Sequence, residues 1–383
     1  MSASAHWSVE DAERYLLGLE LFGMRFGLDR MRRLMTTLDQ PERRYDTIHV
    51  VGTNGKSSTT RMIAAILQRH GLRAGAYLSP HLVSFTERVR VDDHDAEPAA
   101  FSELAAREVD VAVIEAGLGG RWDATNVLPS KVQVLTTVGL EHTRWLGPTV
   151  RDIAREKLAV VREGATLVIG ADLHPDAQEE AHAVAERQGA KLVTAPADPG
   201  IELAAPGGFQ RRNFALARAA AEAYRGSLEL ERVRAAAAAV TVPGRLQVVA
   251  HEPLTLLDGA HNAEGVAALA ESLPQLTAGR RLVAVVSVLD DKDAAGMLRA
   301  LLPHAEHVVF TRSRNPRALP PATLASLCAQ LEGPSCELEA DPRRALARAR
   351  EVAGAGGVVL ATGSIYLVAD LLRPAGQRSA SML

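Results

Sequence analysis

Lys56 ends a glycine-bearing run, Gly52-Thr53-Asn54-Gly55-Lys56, and is followed by two hydroxyl residues, Ser57 and Ser58. An apolar strand, Asp46 to Val51, precedes the run, and Thr59 to Leu67 follows it with apolar residues at helical spacing. A loop of this kind binds phosphate. Backbone N–H groups at the loop and at the helix N-terminus point at an anion, and the helix dipole adds partial positive charge. Lys56 supplies a full charge for the terminal phosphates of a nucleotide, and Ser57 or Ser58 a hydroxyl. The strict form of the pattern places its first glycine at position 50, which here is Val50. A plain glycine turn between strand and helix is the alternative; the Gly-Lys-Ser-Ser order in this setting favours the nucleotide.

Other residues that could do chemistry fall at the ends of apolar runs, where open α/β sheets bind ligands. Glu115 follows Val109 to Ile114 and precedes Ala116-Gly-Leu-Gly-Gly-Arg-Trp-Asp-Ala-Thr-Asn126. A carboxylate at a strand end beside a phosphate loop suits Mg²⁺, which takes oxygen ligands and bridges phosphates. The plainer role is a cap or an ion pair. His142 is expected to repeat that geometry after the next strand, although a lone histidine is more often structural. Ser79 follows a short apolar run, Gly75 to Leu78, and by itself reads as a loop serine.

The elements that must position these residues alternate. Strands are expected at Lys131 to Val138, Thr166 to Ile169 and Lys191 to Thr194, with helices at Val150 to Val161 and Pro175 to Gln188. An earlier helical pattern runs from Val9 to Leu38, interrupted by Gly18, Gly23 and Gly27. After Val242-Pro243-Gly244 a second series begins: strands at Leu254 to Leu257, Arg281 to Val288, His307 to Phe310 and Gly357 to Ala361. Helices fall between them at Asn262 to Leu273, Ala294 to Leu302, Pro321 to Leu331 and Arg343 to Val352. The fold class is therefore α/β: an N-terminal doubly wound parallel sheet of the phosphate-loop ATPase type over 1–243, and a smaller Rossmann-like α/β domain over 244–383. The last residues, Ala375 to Leu383, read as a frayed tail.

Composition narrows the function class. Of 383 residues, 47% are hydrophobic and 23% charged, as in soluble globular proteins. A formal net charge of −3 gives no electrostatic case for a nucleic-acid or membrane partner. Cys328 and Cys336 make no disulfide framework, and no Cys/His cluster has zinc spacing. The N-terminus lacks the basic and apolar regions of a signal peptide and no run reaches a membrane span, so a cytoplasmic location is expected.

Several motifs taken in order give the chain a resemblance to the folylpolyglutamate synthase/dihydrofolate synthase branch of the Mur-type ligases. They are Phe26-Gly-Leu-Asp-Arg-Met31, Val51 to Thr59, Ala76-Tyr-Leu-Ser-Pro-His-Leu-Val-Ser-Phe-Thr-Glu-Arg-Val89 and Glu115 to Asn126. Gly139-Leu-Glu-His-Thr-Arg-Trp-Leu-Gly-Pro-Thr149 and Ile153-Ala-Arg-Glu-Lys157 follow, then Phe209-Gln-Arg-Arg-Asn-Phe214, Pro243-Gly-Arg245, Leu257-Asp-Gly-Ala-His-Asn262, Asp290-Asp-Lys-Asp293 and Thr362 to Val368. The resemblance implies an ATP- and Mg²⁺-dependent enzyme that joins L-glutamate to folate or dihydropteroate through an acyl phosphate, as a monomer. It implies that Gly55 to Ser58 hold the ATP phosphates and that Ser79, Glu115 and His142 are metal ligands. Lys157 matches a lysine carbamylated in the family, which turns a cation into a second metal-binding anion; outside the family it reads as a surface helix lysine. Asn213, Arg245 and Asp258 match ATP contacts, the latter two from the second domain. His261 lines the site, and Asp123, Ala124 and Thr125 match a segment near the pterin-bearing substrate.

Two departures stand out. Ser57 replaces the family's usual glycine, an ordinary arrangement for a phosphate loop. Between Arg88-Val-Arg-Val91 and Val109 the family carries a loop and helix with a Phe-Glu motif; here Asp92 to Glu108 is shorter, with a polar turn at Asp92 to Pro98 and at most a short helix at Ala99 to Arg107. A parallel crossover still fits, since it needs roughly a dozen residues. Rival readings are a Mur-like ligase acting on a non-folate carboxylate and a regulator that binds ATP without turnover. A GTPase switch would need a guanine-reading Asn-Lys-x-Asp motif, which the first domain lacks.

Overall fold

A computed structural model describes residues 27–92, 94–95 and 109–374. Most of the expected Val9 to Leu38 helix, the Phe26 end of its motif, the Ala99 to Arg107 helix and the tail from Ala375 lie outside the described residues. The chain divides into two compact units. One takes its described residues from Met1–Glu202 and Arg212–Val240, the other from Leu203–Arg211 and Thr241–Ser379.

The first unit opens with α1 (Asp29–Thr37). There follow β1 (Asp46–Val51), α2 (Lys56–Arg69), β2 (Ala74–Tyr77), β3 (Val89–Val91), β4 (His94–Asp95) and β5 (Val111–Glu115). Then come β6 (Val132–Leu135), α3 (Thr143–Leu146), α4 (Val150–Leu158), β7 (Thr166–Gly170), α5 (Pro175–Gln188) and β8 (Lys191–Ala195). Helices α6 (Gly208–Arg225, from Arg212 onward in this unit) and α7 (Leu230–Ala239) complete it. Among the described residues the strands form one sheet in the order β4-β3-β2-β5-β1-β6-β7-β8. From β2 to β8 every pairing is parallel, and β1, β5, β6 and β7 are buried along almost their whole length, as expected of strands covered on both faces. Local signals set the helix ends. Thr149 and Asp152 cap α4 reciprocally, and Pro175 at the first turn and left-handed Gly189 after the last bound α5.

Two expectations change here. β3 pairs antiparallel with β2, Val91 opposite Gly75, and turns at Asp92 into the antiparallel β4. The polar stretch after Val91 is therefore in part an edge hairpin. Because β5 runs parallel to β2, β3 and β5 run in opposite directions, and their link is no parallel crossover. The β6 strand stops at Leu135 instead of Val138, because Thr136 and Thr137 turn to bind the loop after β1.

The second unit contains β9 (Gln247–His251), β10 (Leu254–Leu257), α8 (Ala263–Ala270), α9 (Leu273–Thr277), β11 (Leu282–Val286), α10 (Ala294–Leu301) and β12 (His307–Phe310). After these come α11 (Pro321–Gln330), β13 (Ser335–Leu338), α12 (Pro342–Ala353), β14 (Val358–Thr362) and α13 (Ile365–Leu372). Its sheet has the order β13-β12-β11-β14-β10-β9, parallel except for β9. Val286, Val308, Phe310 and Leu360 pack with Leu269, Leu298 and Leu324 from the covering helices. The expected helix from Asn262 to Leu273 breaks after Ala270 and restarts with Pro274 in its first turn. Edge strands β9 and β13 carry mostly exposed residues, Val248 and Val249 among them, and were not foretold from the apolar pattern.

Candidate active site

The phosphate-loop run lies between the end of β1 and the start of α2. Gly55 occupies a left-handed conformation (φ 86°) at the helix cap, and a Cβ there would lie 2.4 Å from Asn213 Oδ1. Glycine is thus required twice, for the backbone turn and for the close seat of Asn213. The loop is fastened to the chain after β6. Thr53 N–H donates to Thr137 O (2.8 Å), Asn54 N–H to Thr137 Oγ1 (2.9 Å), and Thr136 Oγ1 to Asn54 O (2.6 Å). Lys56 folds over the loop and donates to the carbonyls of Gly52 and Thr53, both at 3.1 Å. These are the parts of an anion cradle: helix N-terminus, glycine turn and one cation.

Beside it stands a small set of oxygen donors. Glu115, the last residue of β5 and 1% exposed, accepts Ser57 Oγ–H on Oε1 (2.9 Å) and Ser79 N–H on Oε2 (3.0 Å). Parallel pairing places β5 between β1 and β2, so the ends of three adjacent strands bring Ser57, Glu115 and Ser79 together. Hard oxygens of this kind fit Mg²⁺, which keeps water and phosphate oxygens for its remaining positions. Among the described residues no three His, Cys, Asp or Glu side chains converge on one point, so a metal here depends on hydroxyls and on oxygens that arrive with a nucleotide. Glu115→Gln keeps the shape but loses the charge. It is expected to lower ligation about 100-fold and to raise the Mg²⁺ concentration for half-maximal rate. An unchanged Mg²⁺ titration would remove Glu115 from the metal site.

Lys157 is not the surface lysine that its local sequence suggests. Helix α4 buries Ile153, Ala154, Lys157 and Leu158 on one face, and Lys157 is 4% exposed. Its Nζ donates to Gly52 O at 2.7 Å, the same carbonyl that Lys56 uses. Burial first, then the neighbouring Lys56 ammonium, lower its pKa to about 7, against the opposing pull of Glu141 and Asp123. A lysine so adjusted is largely a neutral nucleophilic amine at physiological pH, as carbamylation by CO₂ requires. The glycine run after Glu115 makes room for it: a Cβ on Gly120 would lie 2.6 Å from Lys157 O.

His142 differs from expectation in one respect. It lies seven positions beyond Leu135, in a left-handed conformation (φ 53°) that opens α3, and so does not repeat the strand-end geometry of Glu115. Its Nε2 is 3.7 Å from Glu141 Oε1, and Glu141 in turn acts on Lys157. His142, Glu141 and Lys157 thus form a second polar group. Glu141 escaped the sequence reading although it sits in the same motif as His142.

Asp123, Ala124 and Thr125 form a rigid turn. Asp123 Oδ1 accepts from Thr125 N–H (3.0 Å) and from the Thr125 hydroxyl, and Oδ2 accepts from Leu118 N–H (2.8 Å). Beyond them Arg162 donates to Asn126 Oδ1 and to the carbonyls of Asn126 and Leu128.

In the second unit, Arg245, Asp258 and His261 come together. Asp258 is buried and accepts Leu246 N–H on Oδ2 (2.9 Å) and Ala260 N–H on Oδ1 (2.8 Å). Burial raises its pKa, opposed chiefly by Arg245 and those two N–H groups. Arg245 Nη1 donates to Gly244 O (3.0 Å) and lies over Gly259, while His261 Nδ1 is 2.9 Å from Gly259 O.

Comparisons with known proteins converge with this geometry. Residues 50–201 match the Mur ligase middle domain and residues 244–365 the Mur ligase glutamate ligase domain, so both halves are those of an ATP-dependent carboxylate–amine ligase. The dihydrofolate synthase/folylpolyglutamate synthase of Mycobacterium tuberculosis is 34% identical over 80% of this chain and 78% of its own. The enzyme of the same name from Bacillus subtilis is 31% identical over 94% of this chain and 98% of its own. The bifunctional folylpolyglutamate synthase/dihydrofolate synthase of Yersinia pestis, solved with AMPPNP and a Mn ion, aligns with a TM-score of 0.87 at 30% identity, covering 97% of this chain and 99% of that one. The chain belongs to the dihydrofolate synthase/folylpolyglutamate synthase family.

Proposed function

We propose that the protein joins L-glutamate to a folate-type carboxylate in a reaction driven by ATP, acting as dihydrofolate synthase, as folylpolyglutamate synthase or as both. The observation that carries this reading is the Lys56–Gly52–Lys157 cluster beside the Ser57–Glu115–Ser79 oxygens, in a chain of this family. The acceptor carboxylate attacks the γ-phosphorus, the bond to the β-bridging oxygen breaks, and ADP leaves. The amine of glutamate then attacks the acyl carbon, loses a proton, and phosphate departs with the bonding pair. Ser57, Ser79 and Glu115 would hold Mg²⁺, with His142 and Lys157, if carbamylated, at a second position, and the ion would supply charge neutralisation at the phosphate oxygens. Gly52 to Ser58 and Asn213 seat the phosphates and the nucleotide. Lys56 offsets charge on the transferring group. In the second unit Asp258 fixes the turn that carries Arg245, and the family resemblance implies an ATP contact for both and a lining role for His261; in the first unit Asp123 to Thr125 border the acceptor.

The reading also carries a monomer in the cytoplasm with small molecules as its partners. The near-neutral charge gives no electrostatic case for a nucleic-acid partner, and no helix among the described residues is long and apolar enough to cross a membrane. The test is direct: Mg-ATP, glutamate and either dihydropteroate or tetrahydrofolate are incubated with the protein, and ADP release and product mass are followed. A product one glutamate heavier than either acceptor supports the reading. ADP release without a glutamylated product from either would overturn it.

A further inference from the structure

Position 49 lies in the middle of β1, between β5 and β6, where a parallel sheet ordinarily holds Val, Ile or Leu. It is instead histidine, fully buried. Its register neighbour on β6 is Gln133, also fully buried, so both side chains project from the same face. His49 Nε2 is 2.8 Å from Thr125 Oγ1, and Gln133 Nε2 donates to Ser130 O and Ser130 Oγ, each at 2.8 Å. The two residues thus grip opposite ends of the segment from Asp123 to Ser130.

The hydrogen bonds give the direction of the His49 contact. The Thr125 hydroxyl donates to Asp123 Oδ1, so its oxygen accepts from His49, which must carry its proton on Nε2. Burial pushes the imidazole pKa down to about 4 and keeps that neutral form. Nδ1 is then a buried acceptor with no hydrogen-bond partner among the described residues, as is Gln133 Oε1. An apolar side chain would leave no such orphan. What His49 adds is a fixed position for Thr125 and, through it, Asp123, while Gln133 fixes Ser130.

We propose that His49 is a positioning residue for the acceptor substrate, holding Thr125 and through it the Asp123 carboxylate; this rests on the reading of Asp123 to Thr125 as the acceptor's border. His49→Leu is expected to raise KM for the pterin-bearing acceptor roughly tenfold, the loss of about one hydrogen bond, while KM for ATP stays within about twofold. Thermal stability should hold or rise, since the orphaned Nδ1 is gone; His49→Gln, whose amide nitrogen reaches the Nε2 position, should restore most of the acceptor affinity. Thr125→Val should reproduce the effect from a less buried site, and adding His49→Leu to it should change little more. If His49→Leu does not fold, Thr125→Val and His49→Gln carry the test. A fall in activity that follows a fall in stability, an equal rise in KM for ATP, or additive effects in the double variant would overturn the inference. A wild-type protein that glutamylates neither acceptor would instead overturn the functional reading, so the two failures are distinct.

Discussion

Replacing Lys56 by alanine should lower glutamate ligation about 1,000-fold while leaving the fold intact. Among the described residues the side chain makes two hydrogen bonds, both to carbonyls of its own loop, and of these the Gly52 carbonyl keeps Lys157, so removing Lys56 takes a donor from Thr53 O alone. Its contribution belongs to the transition state, where charge spreads over the transferring phosphoryl oxygens and a preorganised cation is worth most. The check is single-turnover ADP formation beside a thermal melt. Near-normal turnover would place the phosphates elsewhere; a collapsed melt would mean that Lys56 has a structural role that the geometry does not suggest.

Lys157→Met should give a loss of ligation of about 100-fold or more together with a change in how stability depends on pH. In the unfolded chain the amine titrates near its ordinary value of 10.5, and in the folded protein at about 7. Below pH 7 both states hold the proton, and the fold bears the full cost of a buried ammonium. Between about 7 and 10.5 the unfolded chain binds more protons, so stability rises with pH across that window and levels off above it. The shift corresponds to a gain on the order of a few kcal/mol. Methionine fills the same space without a charge, so the variant should lose this slope and be at least as stable near neutral pH. Urea denaturation at pH 6.5 and 9.5 in CO₂-free buffer measures it. Equal slopes in the two proteins would mean that Lys157 titrates normally. In bicarbonate, the wild type but not the variant should gain the mass of one CO₂.

Much of this was legible in the chain itself. The runs at Asp46 to Val51, Leu254 to Leu257 and His307 to Phe310 became strands with the same limits, because a strand covered on both faces is mostly apolar even where a polar residue such as His49 or Thr255 interrupts it. The positions of the Gly52 to Lys56 loop and of Glu115 were legible for a related reason, since both sit within a few residues of such a strand. Edge strands were not. β9 and β13 gain their order from pairing with a neighbour and carry exposed side chains, so periodicity held no record of them.

The site divides along the same line. The sequence by itself determined the α/β class, the glycine turn from Gly52 to Gly55 between a strand and a helix and, through its ordered motifs, the resemblance to a ligase family. Only the tertiary structure decided that Lys157 is buried on the carbonyl of Gly52, 105 positions away, and that His142 stands beside Glu141 instead of at a strand end. It likewise brought His49 to Thr125 across 76 positions. The reason is physical: a helix or strand is written in neighbouring residues, whereas the burial that shifts a lysine's proton affinity or selects a histidine tautomer comes from groups far away in the chain, and exists only once the sheet has brought them together.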